Sequence, residues 1–242
     1  MTHSIALLSK PGGRKVNEDY CDQSQHGPRV CVALADGLGG HRAGEVASRA
    51  AVKAALERFS HQPGIKPEEL ADLAAEANGA VARLQQKEPA LAGMKTTLVL
   101  WASDGTNASW GHVGDSRLYQ FRKGNLVHQT KDHSLPQKLA VIGEISEEEI
   151  RFHEDRNRLT AVLQGEDPLR WTPVETPVEL EPGDAFLLCT DGFWEYVDEP
   201  VMMEELSQAD DAKEWLARLE KRLLAQVEDG HDNYSAAAII VR

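Results

Sequence analysis

The sequence predicts an α+β layered fold rather than a doubly wound sheet. Short apolar runs of strand character follow one another around a pair of helix-like segments, with no strict strand–helix alternation. Several of these runs begin or end on an aspartate, which places acidic groups at sheet ends. No internal repeat or low-complexity linker breaks the 242 residues, so residues 1–242 read as one domain.

Residues 30–35 (VCVALA) form a short apolar run that reads as a buried strand, ending in a turn at Asp36-Gly37. Residues 43–59 and 68–86 are rich in good helix formers, with apolar residues at helical spacing. Residues 96–102, 108–113 and 117–122 read as successive strands, punctuated by Gly105 and Gly114. The polar stretch 132–167, with a short helix near 147–152, reads as a surface insertion over one end of the sheets. Residues 185–189 form another apolar strand that ends in an Asp191-Gly192 turn. A third long helix over 211–227 and a strand over 235–241 (SAAAIIV) close the chain.

Composition narrows the function. A net charge of −13 argues against nucleic acid and anionic lipid as partners. An acidic chain can still handle phosphate where bound cations invert the local field. Three cysteines (Cys21, Cys31, Cys189) without a CxxC disfavour both a disulfide framework and a zinc site. The N-terminus has no basic region before a long apolar run, and no apolar stretch approaches a membrane span, so the chain is expected to be soluble and cytoplasmic.

Five aspartates stand where strands begin or end: Asp19 in NED, Asp36 in ADG, Asp115 in GDSR, Asp191 in TDG and Asp232 in HDN. Any one alone is more often a turn or cap residue. Their number and setting carry the argument. Converging carboxylates repel, and a hard dication is the simplest way to hold them together. Oxygen ligands favour Mg²⁺ or Mn²⁺ over zinc. Glycine directly after Asp36 and Asp191 is expected to allow a sharp turn and to expose a carbonyl as a further ligand.

Other chemistries fall away. A thiol phosphatase needs an arginine six residues after its cysteine, and those positions hold Gly27, Gly37 and Glu195. There is no GxSxG elbow, and GMKTT at 93–97 lacks the spacing of a phosphate-binding loop.

Seven segments occur in one order: RKVNED at 14–19, ADGLGGHRAGEVAS at 35–48, TT at 96–97, GHVGDSRLY at 111–119, DHS at 132–134, TDGFWEYV at 190–197 and DNYSAAAII at 232–240. Together they resemble the metal-dependent protein phosphatase (protein phosphatase 2C) family, in its short bacterial stand-alone form, over nearly the whole chain. The resemblance implies an αββα four-layer sandwich, two mainly antiparallel sheets flanked by helix pairs, with 132–167 as a flap-like insertion. It implies two to three Mn²⁺ or Mg²⁺ ions. Asp36 would bridge the two core ions, with the Gly37 carbonyl on one, and Asp191 and Asp232 would complete the other. Asp19 would act mainly through water, and Asp115 would serve a third ion shared with Asp191. Arg14 would hold the substrate phosphate.

The reaction so implied is hydrolysis of phosphoserine or phosphothreonine on proteins, by in-line attack of a metal-bridging hydroxide. It would oppose a bacterial Ser/Thr kinase in signal transduction. Some relatives belong to type VI secretion clusters and act on a forkhead-associated-domain protein, which adds such a protein to the candidate substrates. A monomer is expected.

There are departures from the family pattern. Lys95 stands where glycine is usual before TT, VLQG at 162–165 replaces the usual ALG, and Leu38 stands where the animal branch has a histidine. His41 and His133 are therefore candidate proton donors, each weighed against a purely structural role. A non-catalytic binding module and a small-phosphoester hydrolase are the rival readings.

Overall fold

The computed structural model describes residues 1–39, 43–166 and 168–242. In chain order its strands are β1 (His3–Lys10), β2 (Asp19–His26), β3 (Arg29–Leu38), β4 (Lys95–Thr96), β5 (Leu98–Ser103) and β6 (Asn107–Val113). They continue as β7 (Arg117–Arg122), β8 (Asn125–Gln129), β9 (Thr172–Pro173), β10 (Val178–Glu179), β11 (Ala185–Cys189) and β12 (Tyr234–Val241). The helices are α1 (Ala43–His61), α2 (Pro67–Lys87), α3 (Leu135–Val141), α4 (Asp191–Trp194), α5 (Glu199–Ser207) and α6 (Ala212–Leu224).

Two sheets result. One runs β1-β12-β11-β7-β8; the other runs β10-β6-β5-β3-β2, with β4 on β3 and β9 on β6. Each recorded pairing is antiparallel.

Strand alternation explains the layering. On β3, Cys31, Ala33 and Ala35 face α1 and α2, while Val30, Val32 and Leu34 face the other sheet. On β11, Ala185, Leu187 and Cys189 face α5 and α6, while Phe186 and Leu188 point between the sheets. Both faces of these strands are apolar because both are covered. The chain is thus an α+β sandwich of four layers, helices–sheet–sheet–helices, with a core in each of three interfaces.

The helices follow from local chemistry. Pro67 occupies the first turn of α2, and the Glu69 carboxylate accepts from the Lys66 amide at 2.8 Å. Asp211 caps α6 by accepting from Glu214 N at 2.8 Å, and Trp215, Leu216, Leu219 and Leu223 form its buried face.

Three expectations need correction. The strand over 30–35 does not end at Asp36-Gly37; β3 runs on to Leu38. Gly37 and Gly192 are not sharp-turn residues, since neither has positive φ. Each is glycine because another segment of the backbone crosses it: a Cβ on Gly37 would lie 2.0 Å from the Gly44 carbonyl oxygen, and one on Gly192 would lie 2.0 Å from that of Asn233. Asp191-Gly192 opens helix α4 rather than a turn.

Within 132–167 lie α3 and a 3₁₀ helix at Glu148–Phe152. The stretch is pinned by isolated bridges Ser134–Leu159 and Thr96–Leu163. Leu163 is buried in the core, and Gly165, with φ of 78°, donates to Asn78 Oδ1 of α2 at 2.9 Å. Among the described residues no helix is long and apolar enough to cross a membrane.

Candidate metal centre

Four of the five predicted aspartates reach one pocket from four different strand ends, and the fifth closes its rim. Asp19 opens β2 and pairs directly with Asp36 near the end of β3. Asp115 sits in the β6–β7 turn, Asp191 begins α4 just after β11, and Asp232 precedes β12. All five line a cavity of about 160 Å³, with Glu18, Gly37, Leu38, Gly39, Asn157, Leu159 and Asn233. Asp19 and Asp115 are buried, Asp36 and Asp191 are partly open towards the pocket, and Asp232 is exposed.

Hydroxyls and amides hold this array in place. The Asp36 amide donates to Thr97 Oγ1 at 2.8 Å, and Thr96 Oγ1 donates to the Asp36 carbonyl at 2.7 Å. Thr190 Oγ1 donates to Asp19 Oδ2 at 2.9 Å. Trp194 Nε1 donates to the Asp115 carbonyl at 3.0 Å, tying α4 to the β6–β7 turn. Asn233 gathers the 11–18 loop: its Oδ1 accepts from Glu18 N at 2.8 Å, and its Nδ2 donates to the Pro11 and Val16 carbonyls at 2.9 Å each.

The electrostatics are those of a repelling cluster. Burial, then Asp191, Asp19 and Asp115, hold the Asp36 carboxyl well above the usual carboxylate range. Burial and Asp191 do the same to Asp115. Burial pushes Asp19 up to about 7, with Asp191 and Asp232 adding to the rise. Burial and Asp232 also raise Asp191. Among the described residues no three such side chains are already drawn in around one point. Asp36 and Asp191 nevertheless come within hydrogen-bonding reach of each other.

The residues present suit a hard cation. The donors are all oxygens. Asp115 Oδ1 is buried with no hydrogen-bond partner, and among the pocket's lining residues it is the carboxylate oxygen left free to meet a cation.

Arg14 lies at the rim, where its Nη2 contacts Asp232 Oδ2 at 3.1 Å with both side chains about half exposed (55% and 51%). His133 does not face the pocket. Its Nδ1 accepts from Gly114 N at 3.2 Å and its Nε2 bonds Thr172 Oγ1 at 2.9 Å, so both ring nitrogens are engaged. Burial lowers its pKa to about 4, with His112 adding to the fall. His41 lies outside the described residues. Lys95 is exposed and does not line the pocket.

Glu18, Asn157, Leu159 and Asn233 are pocket residues that were not among the predicted site residues. Glu18 and Asn233 adjoin predicted aspartates in NED and HDN, so proximity in the motif was a usable signal. Asn157 and Leu159 lie in the 132–167 stretch read as an insertion over one end of the sheets, which pointed to the segment but not to these two residues.

A fold of this layering with a carboxylate-lined pocket at the strand ends matches known proteins. The Protein phosphatase 2C family profile fits residues 12–232, and the chain belongs to that family. The chain is 38% identical to the serine/threonine protein phosphatase PstP of Mycobacterium tuberculosis over 176 residues, 72% of this chain. That match spans 34%, about a third, of PstP's own length. It is 34% identical to the protein phosphatase PhpP of Streptococcus pneumoniae over 206 residues, 78% of each chain.

A crystal structure of the Mycobacterium tuberculosis PstP superposes with a TM-score of 0.88 at 33% identity, covering 100% of both chains. The PstP catalytic domain in complex with 2 manganese ions superposes at 0.82 with 32% identity, covering 99% of both chains. PppA, described as a key regulatory component of the type VI secretion system in Pseudomonas aeruginosa, superposes at 0.82 with 28% identity, covering 100% of this chain and 99% of that one.

Proposed function

We propose that this chain hydrolyses phosphoserine and phosphothreonine monoesters on proteins, opposing a bacterial Ser/Thr kinase, with two to three Mn²⁺ or Mg²⁺ ions. The observation that carries the reading is the convergence of Asp19, Asp36, Asp115, Asp191 and Asp232 on one small polar pocket. Family membership and the manganese-bound relative support it.

Asp36, Asp191, Asp232 and the Gly37 carbonyl would hold the core ions, Asp19 would act through water, and Asp115 would serve an outer ion. When bound, the cations supply a nucleophile at neutral pH and neutralise the phosphoryl oxygens. The chain's own residues do the rest. Arg14 offers a planar bidentate donor set to the phosphate from the rim, which lysine could not copy. Thr96 and Thr97 hold the Asp36 backbone, and Thr190 fixes the Asp19 carboxylate in direction. No described histidine faces the pocket, so His133 is not the source of the leaving group's proton.

The assignment extends to a monomer working in the cytoplasm on a kinase target, with a forkhead-associated-domain protein among the candidates. PppA's described role in type VI secretion favours that setting. The segment 132–167 acts as a flap beside the pocket. The test is hydrolysis of a phosphothreonine peptide with and without Mn²⁺. Turnover that appears with Mn²⁺ and vanishes on exhaustive chelation supports the reading; an unchanged rate after chelation overturns it.

A further inference from the structure

Beside the carboxylate pocket lies a second cavity of about 740 Å³, a groove between α3 and the chain around Trp171. Val141, Ile142, Ala161 and Trp171 contribute its apolar surface. Val141 is 77% exposed and Ile142 66%, side by side where α3 ends. A contiguous pair of bare aliphatic side chains over a groove marks an interaction site more often than scattered single ones do.

The charges around it are selective. Lys131 is taken by Glu147 at 2.5 Å, and Asp132 by Arg117 at 2.8 Å. Lys138 and Arg170 are exposed, and neither has a carboxylate within ion-pair distance among the described residues. Among the described residues the groove therefore presents positive charge without a paired acid, on a chain whose net charge is −13.

The groove and the pocket share no lining residue but are joined through the backbone. Leu159 lines the pocket and the next residue, Thr160, lines the groove. His133, a groove residue, is bonded in both directions to Gly114, the neighbour of Asp115.

We propose that this groove docks the phosphoprotein substrate itself, through an extended segment near the phosphorylated residue that carries bulky apolar side chains interleaved with carboxylates. The proposal rests on the phosphatase reading above. The backbone links to the pocket wall, at Leu159-Thr160 and His133–Gly114, select the substrate over an unrelated partner. Lys138 and Arg170, without a carboxylate partner among the described residues, select an acidic segment, and Val141, Ile142 and Trp171 select an apolar one.

The experiment compares three substrates with Mn²⁺ present: p-nitrophenyl phosphate and two phosphothreonine peptides. One peptide carries Glu-Leu-Glu-Leu on both sides, starting a few residues from the phosphothreonine; the other carries Gly-Ser there. The wild-type chain should favour the Glu-Leu peptide in kcat/KM by about tenfold, carried by KM. The double variant Lys138→Glu/Arg170→Glu should lose that preference while hydrolysing p-nitrophenyl phosphate at the wild-type rate. Ile142→Ser, a surface change, should weaken the same preference by a smaller factor.

Equal kcat/KM for the two peptides in the wild type, or a preference that survives charge reversal, overturns the docking proposal with the phosphatase reading intact. No turnover of any of the three substrates by the wild type overturns the phosphatase reading on which it rests. A chain that sediments as a dimer until Val141 and Ile142 are replaced by serine would place a second copy in the groove and overturn the proposal as well.

Discussion

At the scale of single residues, the centre is built from carboxylates that repel one another until a cation joins them. Asp36→Asn or Asp191→Asn should lower kcat by on the order of a hundredfold or more, since even outer partners of a metal are worth about 10–100-fold. The fold should survive, because the substitution removes repulsion rather than a packing contact. Circular dichroism alongside phosphopeptide kinetics checks both halves, and full activity in either variant would sink the metal-centre reading. The stacked pair His112–His133, with ring centroids 4.6 Å apart, makes a separate pH prediction. His133 has a folded-state pKa of about 4, below its ordinary value, so the unfolded chain binds the proton first. Its contribution to stability is complete above about pH 6.5 and fades as pH falls towards about 4. Urea unfolding at pH 7 and pH 5 should show a smaller pH-dependent loss in His133→Asn than in the wild type.

At the scale of elements, one buried ion pair joins the strand after Asp115 to the 132–167 segment. Arg117 Nε and Nη2 donate to the two oxygens of Asp132 at 2.8 Å each, and its guanidinium lies 3.5 Å from the Trp194 ring centroid. Trp194 belongs to α4, which Asp191 opens, so the stack ties the segment to two predicted site residues. Asp132→Ala leaves the buried Arg117 with only the Glu199 carboxylate, 4.0 Å away, which should cost up to about 3–5 kcal/mol in chemical denaturation. Adding Arg117→Met to that variant should recover most of the loss, and a single-variant cost near zero would show that the pair does not hold the element.

Some elements could be read locally and others could not. α1, α2 and α6 were legible because an apolar face repeats at helical spacing over several turns. β7 and β11 were legible as apolar runs between turns. β2 (DYCDQSQH) was not, because it is an edge strand whose residues are mostly polar and half-exposed. β1 was not read as a strand, and its place comes from its pairing with β12 along all eight residues. The α5 segment was missed because only a short apolar run marks it, although Asp198 accepts from Val201 N as its cap at 3.0 Å.

For the whole molecule, binding of the cations is linked to folding. Mn²⁺ at about a hundredfold over its dissociation constant should stabilise the native state by about 2.7 kcal/mol per independent site. A thermal melt with and without Mn²⁺ measures this without recourse to activity. The rise should shrink or disappear in Asp36→Asn, and an equal rise in that variant would place the binding elsewhere.

The sequence by itself determined which residue types could do the chemistry and in what order they occur. Five aspartates at strand ends, the absence of a thiol or serine nucleophile motif, and seven ordered segments were enough to name the family and the class of cofactor. Strand ends are encoded by short-range patterning, so an acid beside an apolar run can be recognised locally. Only the tertiary structure decided which acids meet: Asp19 faces Asp36 because β2 pairs with β3, and Asp191 and Asp232 join them because β11 pairs with β12. It also decided why Gly37 and Gly192 are glycine, that both ring nitrogens of His133 are engaged away from the pocket, and that Asn157 and Leu159 line it. Those facts depend on contacts between chain segments far apart in sequence, and such contacts leave no periodic mark on either segment alone.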